Sequence, residues 1–146
     1  MKNLEKDLYF VAVKVFLERR GKFFIFKDRF GAWDLPGGRL RESDFQTPLE
    51  KVVMRKIKEE LGVGVRYKLG KPAVFMRHER MEHLANGKKE KRRIFMISYR
   101  AKYLGGEIKL GKNHVVSEWV PLKSFKPEKY FTGGWLQGVK QYLKLK

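Results

Sequence analysis

The segment Thr47 to Gly62 constrains this chain most. Leu49, Val52, Val53, Ile57 and Leu61 recur at helical spacing, so one stripe of a helix must be buried. Thr47-Pro48-Leu49-Glu50 has the form of a capping box with proline at the first helical position. Gly62 is a stop signal. The spacing predicts a helix over 48–61 whose stripe needs a sheet to cover it.

Strand-like runs supply that sheet. Leu8 to Leu17 is β-branched and aromatic, and Phe23-Phe24-Ile25-Phe26 follows a turn at Arg19-Arg20-Gly21-Lys22, so the two read as a hairpin. Lys27 to Trp33 reads as a loop. Val63–Lys68, Ala73–Arg77, Ile94–Ala101 and Val115–Val120 also read as strand. His83 to Lys91 reads as a polar loop turning at Asn86-Gly87, and Gly105-Gly106 as a break. Trp135, Leu136, Val139, Tyr142 and Leu143 predict a C-terminal helix. The order β-β-helix-β-β-β-helix predicts an α+β fold, a mixed sheet with helices packed on it, as a single domain over 1–146.

Composition narrows the classes. A chain of 146 residues buries a sizeable core, and 42% hydrophobic with 14% aromatic content excludes a disordered chain. There is no cysteine, so disulfides, thiol nucleophiles and Cys-based zinc sites are excluded. No apolar run approaches a membrane span. The charge-alternating start Met1-Lys2-Asn3-Leu4-Glu5-Lys6-Asp7 lacks the apolar core of a signal peptide, and the expectation is a cytoplasmic protein. A net charge of +18 makes nucleic acid a candidate partner beside a phosphorylated small molecule. Lys88-Lys89-Glu90-Lys91-Arg92-Arg93 is the one basic cluster along the chain.

Two pieces bear chemistry. Leu35-Pro36-Gly37-Gly38-Arg39 is a glycine turn that allows close backbone approach. Arg55-Lys56-Ile57-Lys58-Glu59-Glu60-Leu61-Gly62-Val63 places adjacent acids in the last turn of the helix, where the dipole opposes them. Glu60 lies at the edge of the apolar stripe with Lys56 beside it, and a carboxylate against a core is costly unless paired or metal-bound. Oxygen ligands without Cys suit Mg²⁺, with Mn²⁺ as the alternative.

On these residues the sequence resembles the Nudix hydrolase family, whose signature is Gly, five residues, Glu, seven residues, then Arg-Glu-aliphatic-x-Glu-Glu-x-Gly-aliphatic. Gly38 stands at the opening glycine, Asp44 at the first Glu, and Arg55 to Val63 at the closing stretch. Ten residues separate Asp44 from Arg55 where the family has seven, and Lys56 stands where it has a metal-ligating Glu. The capping box places the surplus in the loop before the helix. Leu35-Pro36-Gly37-Gly38 and Trp119-Val120-Pro121 also look like the family.

The resemblance implies a Nudix-like mixed β-sheet sandwiched between helices. It also implies Mg²⁺-dependent cleavage of a nucleoside diphosphate linked to another moiety. Carried over by position, Gly38, Glu59 and Glu60 are metal ligands and Arg55 orients the carboxylates. Arg39 and Arg41 are candidates to clamp phosphate, Lys56 to contact it, and Trp33 or Phe75 to stack on a base. One branch, the GDP-mannose hydrolases, also lacks the Glu of Arg-Glu and uses an amide ligand followed by a histidine in a late loop. Lys112-Asn113-His114 resembles that element, with Asn113 as metal ligand and His114 as general base, a role histidine suits. Glu79 or Glu82 is a candidate to replace the carboxylate lost at position 56. A homodimer, as many relatives form, and a non-catalytic nucleotide- or RNA-binding domain are the remaining expectations.

Overall fold

A computed structural model describes residues 4–146; Met1, Lys2 and Asn3 of the charge-alternating start lie outside the described residues. Strand β1 spans Phe10–Arg19, β2 Lys22–Asp28, β3 Trp33–Asp34 and β4 Gly37–Arg39. Helix α1 spans Leu49–Leu61; β5 spans Arg66–His83, β6 Lys89–Gly105, β7 His114–Pro121, and helix α2 Gly133–Lys144. The seven strands form one mixed sheet ordered β3-β2-β1-β6-β5, with β4 pairing β1 and β7 pairing β2. The β1–β6 pairing is parallel; the other pairs are antiparallel.

Strand β1 explains the layers. Both its faces are buried, so it reads as a continuous apolar run. Val13, Val15 and Leu17 join Val52, Val53, Ile57 and Leu61 of α1 in one core. Ala12 and Phe16 join Val139 and Tyr142 of α2 in the other. The sheet is therefore sandwiched between the two helices: the mixed sheet follows the order of elements in the sequence, and the sandwich is what the family resemblance implied.

Three local readings change. Helix α1 begins at Leu49, and Pro48 is its N-cap without a side-chain cap. The expected Thr47 capping box does not form: Pro48 is extended, with ψ of 138°, and so takes the N-cap position itself, while the Thr47 N–H donates to the Asp44 carbonyl at 2.9 Å. A single 3-10 turn at Glu42–Asp44 leads into the turn and bend at 45–47, and it is this stretch between Asp44 and the helix that takes up the extra residues. Of the expected strand 63–68 only 66–68 is strand, 63–65 being turn and loop; it joins the expected strand 73–77 in one long strand, β5, which bulges around Pro72. The expected polar loop His83–Lys91 shrinks to a tight turn. Its flanks pair as a ribbon, Glu79 to Arg93 and His83 to Lys89 included.

Candidate active site

The glycine turn and the end of α1 meet. The Gly37 N–H donates to Glu60 Oε1 at 2.7 Å. This contact needs glycine: Gly37 has φ of 142°, and a Cβ there would lie 1.9 Å from the Val13 carbonyl oxygen. Gly38 carries the Lys56 side chain across it, so close that a Cβ would meet Lys56 Cε at 2.8 Å. The segment after β6 closes the helix end, with Lys109 N–H donating to Leu61 O and Gly111 N–H to Glu60 O. These bonds satisfy carbonyls that a helix C-terminus leaves open.

Above this junction lies a cleft of about 760 Å³. Its wall draws on β1, β3, β4, α1, β5 and the turn before β7. Gly38, Arg39, Lys56, Glu60, Asn113, His114 and Trp33 all line it, so the structure brings most of the expected site residues together. Glu59 and Arg41 do not line it. The half-exposed Glu59 carboxylate faces Arg41 at 3.4 Å, Lys56 at 3.3 Å and Arg55 at 3.9 Å. Lys56 thus pairs with Glu59 one turn on, rather than with Glu60 beside it.

Other expected residues have partners of their own. Arg55 grips Asp44 with two bonds of 2.7 Å, and the Arg41 N–H also donates to Asp44. The Arg55 guanidinium and that amide hold the Asp44 carboxyl well below the usual carboxylate range. Arg39 pairs with Glu82 and lies over the Phe10 ring, and Glu79 pairs with Arg93. Trp33 meets Tyr130 edge-on and carries Lys27 over its ring at 5.1 Å. Phe75 is exposed but stacks on Phe95, and it does not line the cleft.

Sequence reasoning missed two buried ionisable groups in the cleft wall. Lys14, only 8% exposed, donates to Asp34 Oδ1 at 2.8 Å and to the Leu35 carbonyl at 3.2 Å. Asp34 Oδ2 lies 3.3 Å from His114 Nε2. The signal was present: a lysine inside an apolar strand is rarely buried unless paired. Burial alone would raise the Asp34 carboxyl, but the Lys14 ammonium and the His114 and Lys14 hydrogen bonds hold it below its ordinary value. Burial wins at Glu60 and pushes its carboxyl up, against the pull of Lys14 and the Gly37 amide. His114 stacks flat on Phe26 with ring centroids 3.5 Å apart, and its Nδ1 is enclosed without a partner.

Among the described residues no three His, Cys, Asp or Glu side chains converge as a metal site. The oxygen donors at the cleft suit a hard cation: Glu60 lines it with one carboxylate oxygen on the Gly37 amide, beside the cations Lys56, Arg39 and Arg80. Mg²⁺ commonly takes one or two carboxylates and completes its shell with phosphate and water.

A family model described as the NUDIX domain matches residues 8–137. The chain belongs to the Nudix family. With that membership comes the hydrolysis of phosphorus-containing anhydrides expected of the family. Solved Nudix structures share the fold. A MutT protein from Methanosarcina mazei Go1 matches with a TM-score of 0.72 at 21% identity, covering 98% of each chain. A MutT Nudix hydrolase from Burkholderia pseudomallei matches at 0.64 and 23%, covering 92% of this chain and 98% of the other. An ADP-ribose pyrophosphatase from Streptococcus suis 89-1591 matches at 0.60 and 16%, covering 94% and 92%. No curated protein matches the sequence. No helix among the described residues is long and apolar enough to cross a membrane.

Proposed function

We propose that this Nudix chain cleaves a nucleoside diphosphate linked to another moiety, in the cytoplasm. The Gly37–Glu60 hydrogen bond carries the reading. It sets the half-buried acid at the end of α1 against the glycine turn and at the cationic cleft. Glu60 and the Gly38 carbonyl are the groups that would hold Mg²⁺ or Mn²⁺, with Asn113 the candidate third oxygen. Such an ion, when bound, supplies Lewis-acid polarisation of the pyrophosphate.

The chain's own residues do the rest. Arg39, Lys56 and Arg80 line the cleft and offer donors to phosphate oxygens, Arg39 through a planar fork. Lys14 fixes Asp34, and Asp34 faces His114 Nε2. Because Nδ1 is enclosed, a proton reaches the His114 ring only through Nε2, the nitrogen that faces Asp34. Water adds its oxygen to phosphorus, the bridging P–O bond breaks, and the departing phosphate oxygen carries the electron pair. The proton lost by water goes to the general base.

The Asp34–His114 contact favours a second reading, a sugar-nucleotide hydrolase in which His114 is that base. Attack at the anomeric carbon then gives free sugar and a nucleoside diphosphate. A panel of nucleoside diphosphate derivatives with Mg²⁺ or Mn²⁺ tests both, and the products separate them. Nucleotide plus a phosphorylated moiety supports the first reading, and free sugar the second. No turnover of any derivative overturns both and leaves a non-catalytic nucleotide-binding domain.

A further inference from the structure

The excess positive charge is not spread evenly, and the basic run visible along the chain is not where it is least compensated. In Lys88–Arg93, Lys91, Arg92 and Arg93 each meet a carboxylate: Glu79, Glu90, and Asp7 with Glu79. A second groove, of about 790 Å³, is lined by five exposed cations, Arg19, Arg20, Lys68, Arg100 and Lys102. Glu18 is its one acid, and it is already engaged by Arg100 at 3.6 Å and by Lys146 at 2.6 Å. Arg20, Lys68 and Lys102 form no salt bridge among the described residues, and Glu18, the cross-strand neighbour of Lys102, is taken by Arg100 and Lys146.

The arrangement works against stability. Lys68 and Lys102 are direct cross-strand partners between β5 and β6. Like charges opposite each other in a sheet repel. Arg20 is the one non-glycine residue at positive φ among the described residues, 49°, in the β1–β2 turn where asparagine or glycine is usual. Arg19 is held over two rings, 5.4 Å from Tyr103 and 5.6 Å from Trp119, which fixes a flat guanidinium at the groove.

We infer that this groove binds the backbone of a single-stranded nucleic acid. It is a site apart from the cleft. Trp135, in the first turn of α2, lies at the cleft, whereas Lys146, beyond its last turn, reaches Glu18 at the groove. A twelve-residue helix separates the two by roughly 18 Å. Phosphates along a strand neutralise the unpaired cations, and the ring-backed guanidinium of Arg19 offers a plane on which a base stacks. A concave trough suits a flexible strand better than a flat lipid surface.

The test is fluorescence anisotropy of a labelled oligouridylate of about 12 nucleotides, titrated at several salt concentrations. The wild-type chain binds it with a steep salt dependence. The triple variant Arg20→Asn, Lys68→Gln, Lys102→Gln lowers the log–log salt slope by about 2 and the affinity by at least about tenfold near 0.1 M salt. Hydrolysis of small nucleotides by the triple variant stays at the wild-type rate, so this result is independent of the cleft chemistry. The control Lys88→Gln, Lys89→Gln, Lys91→Gln removes the same charge from the sequence cluster and leaves binding close to wild type. Equal losses in the two variants, unchanged binding in the groove variant, or no oligouridylate binding by the wild type overturns the inference. So does loss of phosphatidylserine-vesicle binding in the groove variant with oligouridylate binding intact.

Discussion

Lys14 Nζ lies 2.8 Å from Asp34 Oδ1 in the cleft wall, with both side chains largely removed from water. The ammonium is the nearest compensating charge for Asp34 and also acts on the Glu60 carboxylate. A buried pair broken by removing one member leaves the other charge uncompensated. Lys14→Met is expected to cost about 2–3 kcal/mol in urea unfolding. The double variant Lys14→Met, Asp34→Leu recovers part of that loss. If the single variant is as stable as wild type, the ion pair does not hold the wall.

Glu60 separates activity from stability. Its carboxyl is pushed up by burial, so the folded state holds a proton more readily than the unfolded chain. Any stability from this group is present below the ordinary glutamate range and is lost as pH rises through the raised value. Glu60→Gln keeps an acceptor for the Gly37 N–H and removes the buried charge. In chelator, the Tm advantage of the variant over wild type is expected to widen from pH 4 to pH 8. Turnover is expected to fall at least about 100-fold, since the group proposed to hold the Lewis acid is gone. A variant with wild-type turnover removes Glu60 from the reaction.

The apolar elements were legible because burial leaves a period in the sequence. Helix α1 and the β1–β2 hairpin follow from the spacing of Leu49 to Leu61 and from two apolar runs around Arg20-Gly21. The outer half of the β5–β6 ribbon was not legible, because Glu79 to His83 and Lys89 to Arg93 are largely solvent-facing and only main-chain pairing makes them strands. Thr47 failed as a cap because the extended Pro48 starts the helix one residue later and stands at the N-cap itself. Within the site, helical rotation distinguished Glu60, at the apolar edge, from the half-exposed Glu59. Lys14 hid in an apolar run, and Asp34 sits between a loop and a glycine turn with no motif of its own. The cationic groove joins residues from the β1–β2 turn, β5 and β6, so no linear window contains it.

Asp44 gives the fold an acid limb. The Arg55 guanidinium and the Arg41 N–H hold its carboxyl below the usual range. A depressed group contributes stability above its unfolded value and loses it as pH falls through the folded one. Asp44→Asn is therefore expected to lower the urea midpoint at pH 7, with the gap to wild type closing as pH falls below about 4. A constant gap across that range assigns the effect to packing alone.

Tyr142 carries an opposite lesson for the core. Its ring is fully buried and stacks on Phe16 at 3.7 Å, yet its hydroxyl is buried without a hydrogen-bond partner. Tyr142→Phe removes only the unsatisfied group and is expected to stabilise by about 0.5–1 kcal/mol. Tyr142→Ala is expected to cost about 3–5 kcal/mol by opening a cavity under α2. A destabilised phenylalanine variant shows that the hydroxyl has a partner in solution.

Lys56 is the departure from the family signature that bears most directly on the ion. Its ammonium sits 3.3 Å from Glu59 Oε2 while its chain crosses Gly38, so a positive charge stands where the signature has a carboxylate. At ~5 Å and an effective dielectric near 20, one unit charge is worth about 3 kcal/mol before screening. Lys56→Glu reverses the sign and frees Glu59 from one of its three cations. Calorimetric titration with Mn²⁺ is expected to show at least about tenfold tighter binding in the variant, and Lys56→Gln to fall between the two. If all three proteins bind the ion alike, position 56 lies outside its field. The reading of the cleft as an ion site then loses the reason for a lysine at that place.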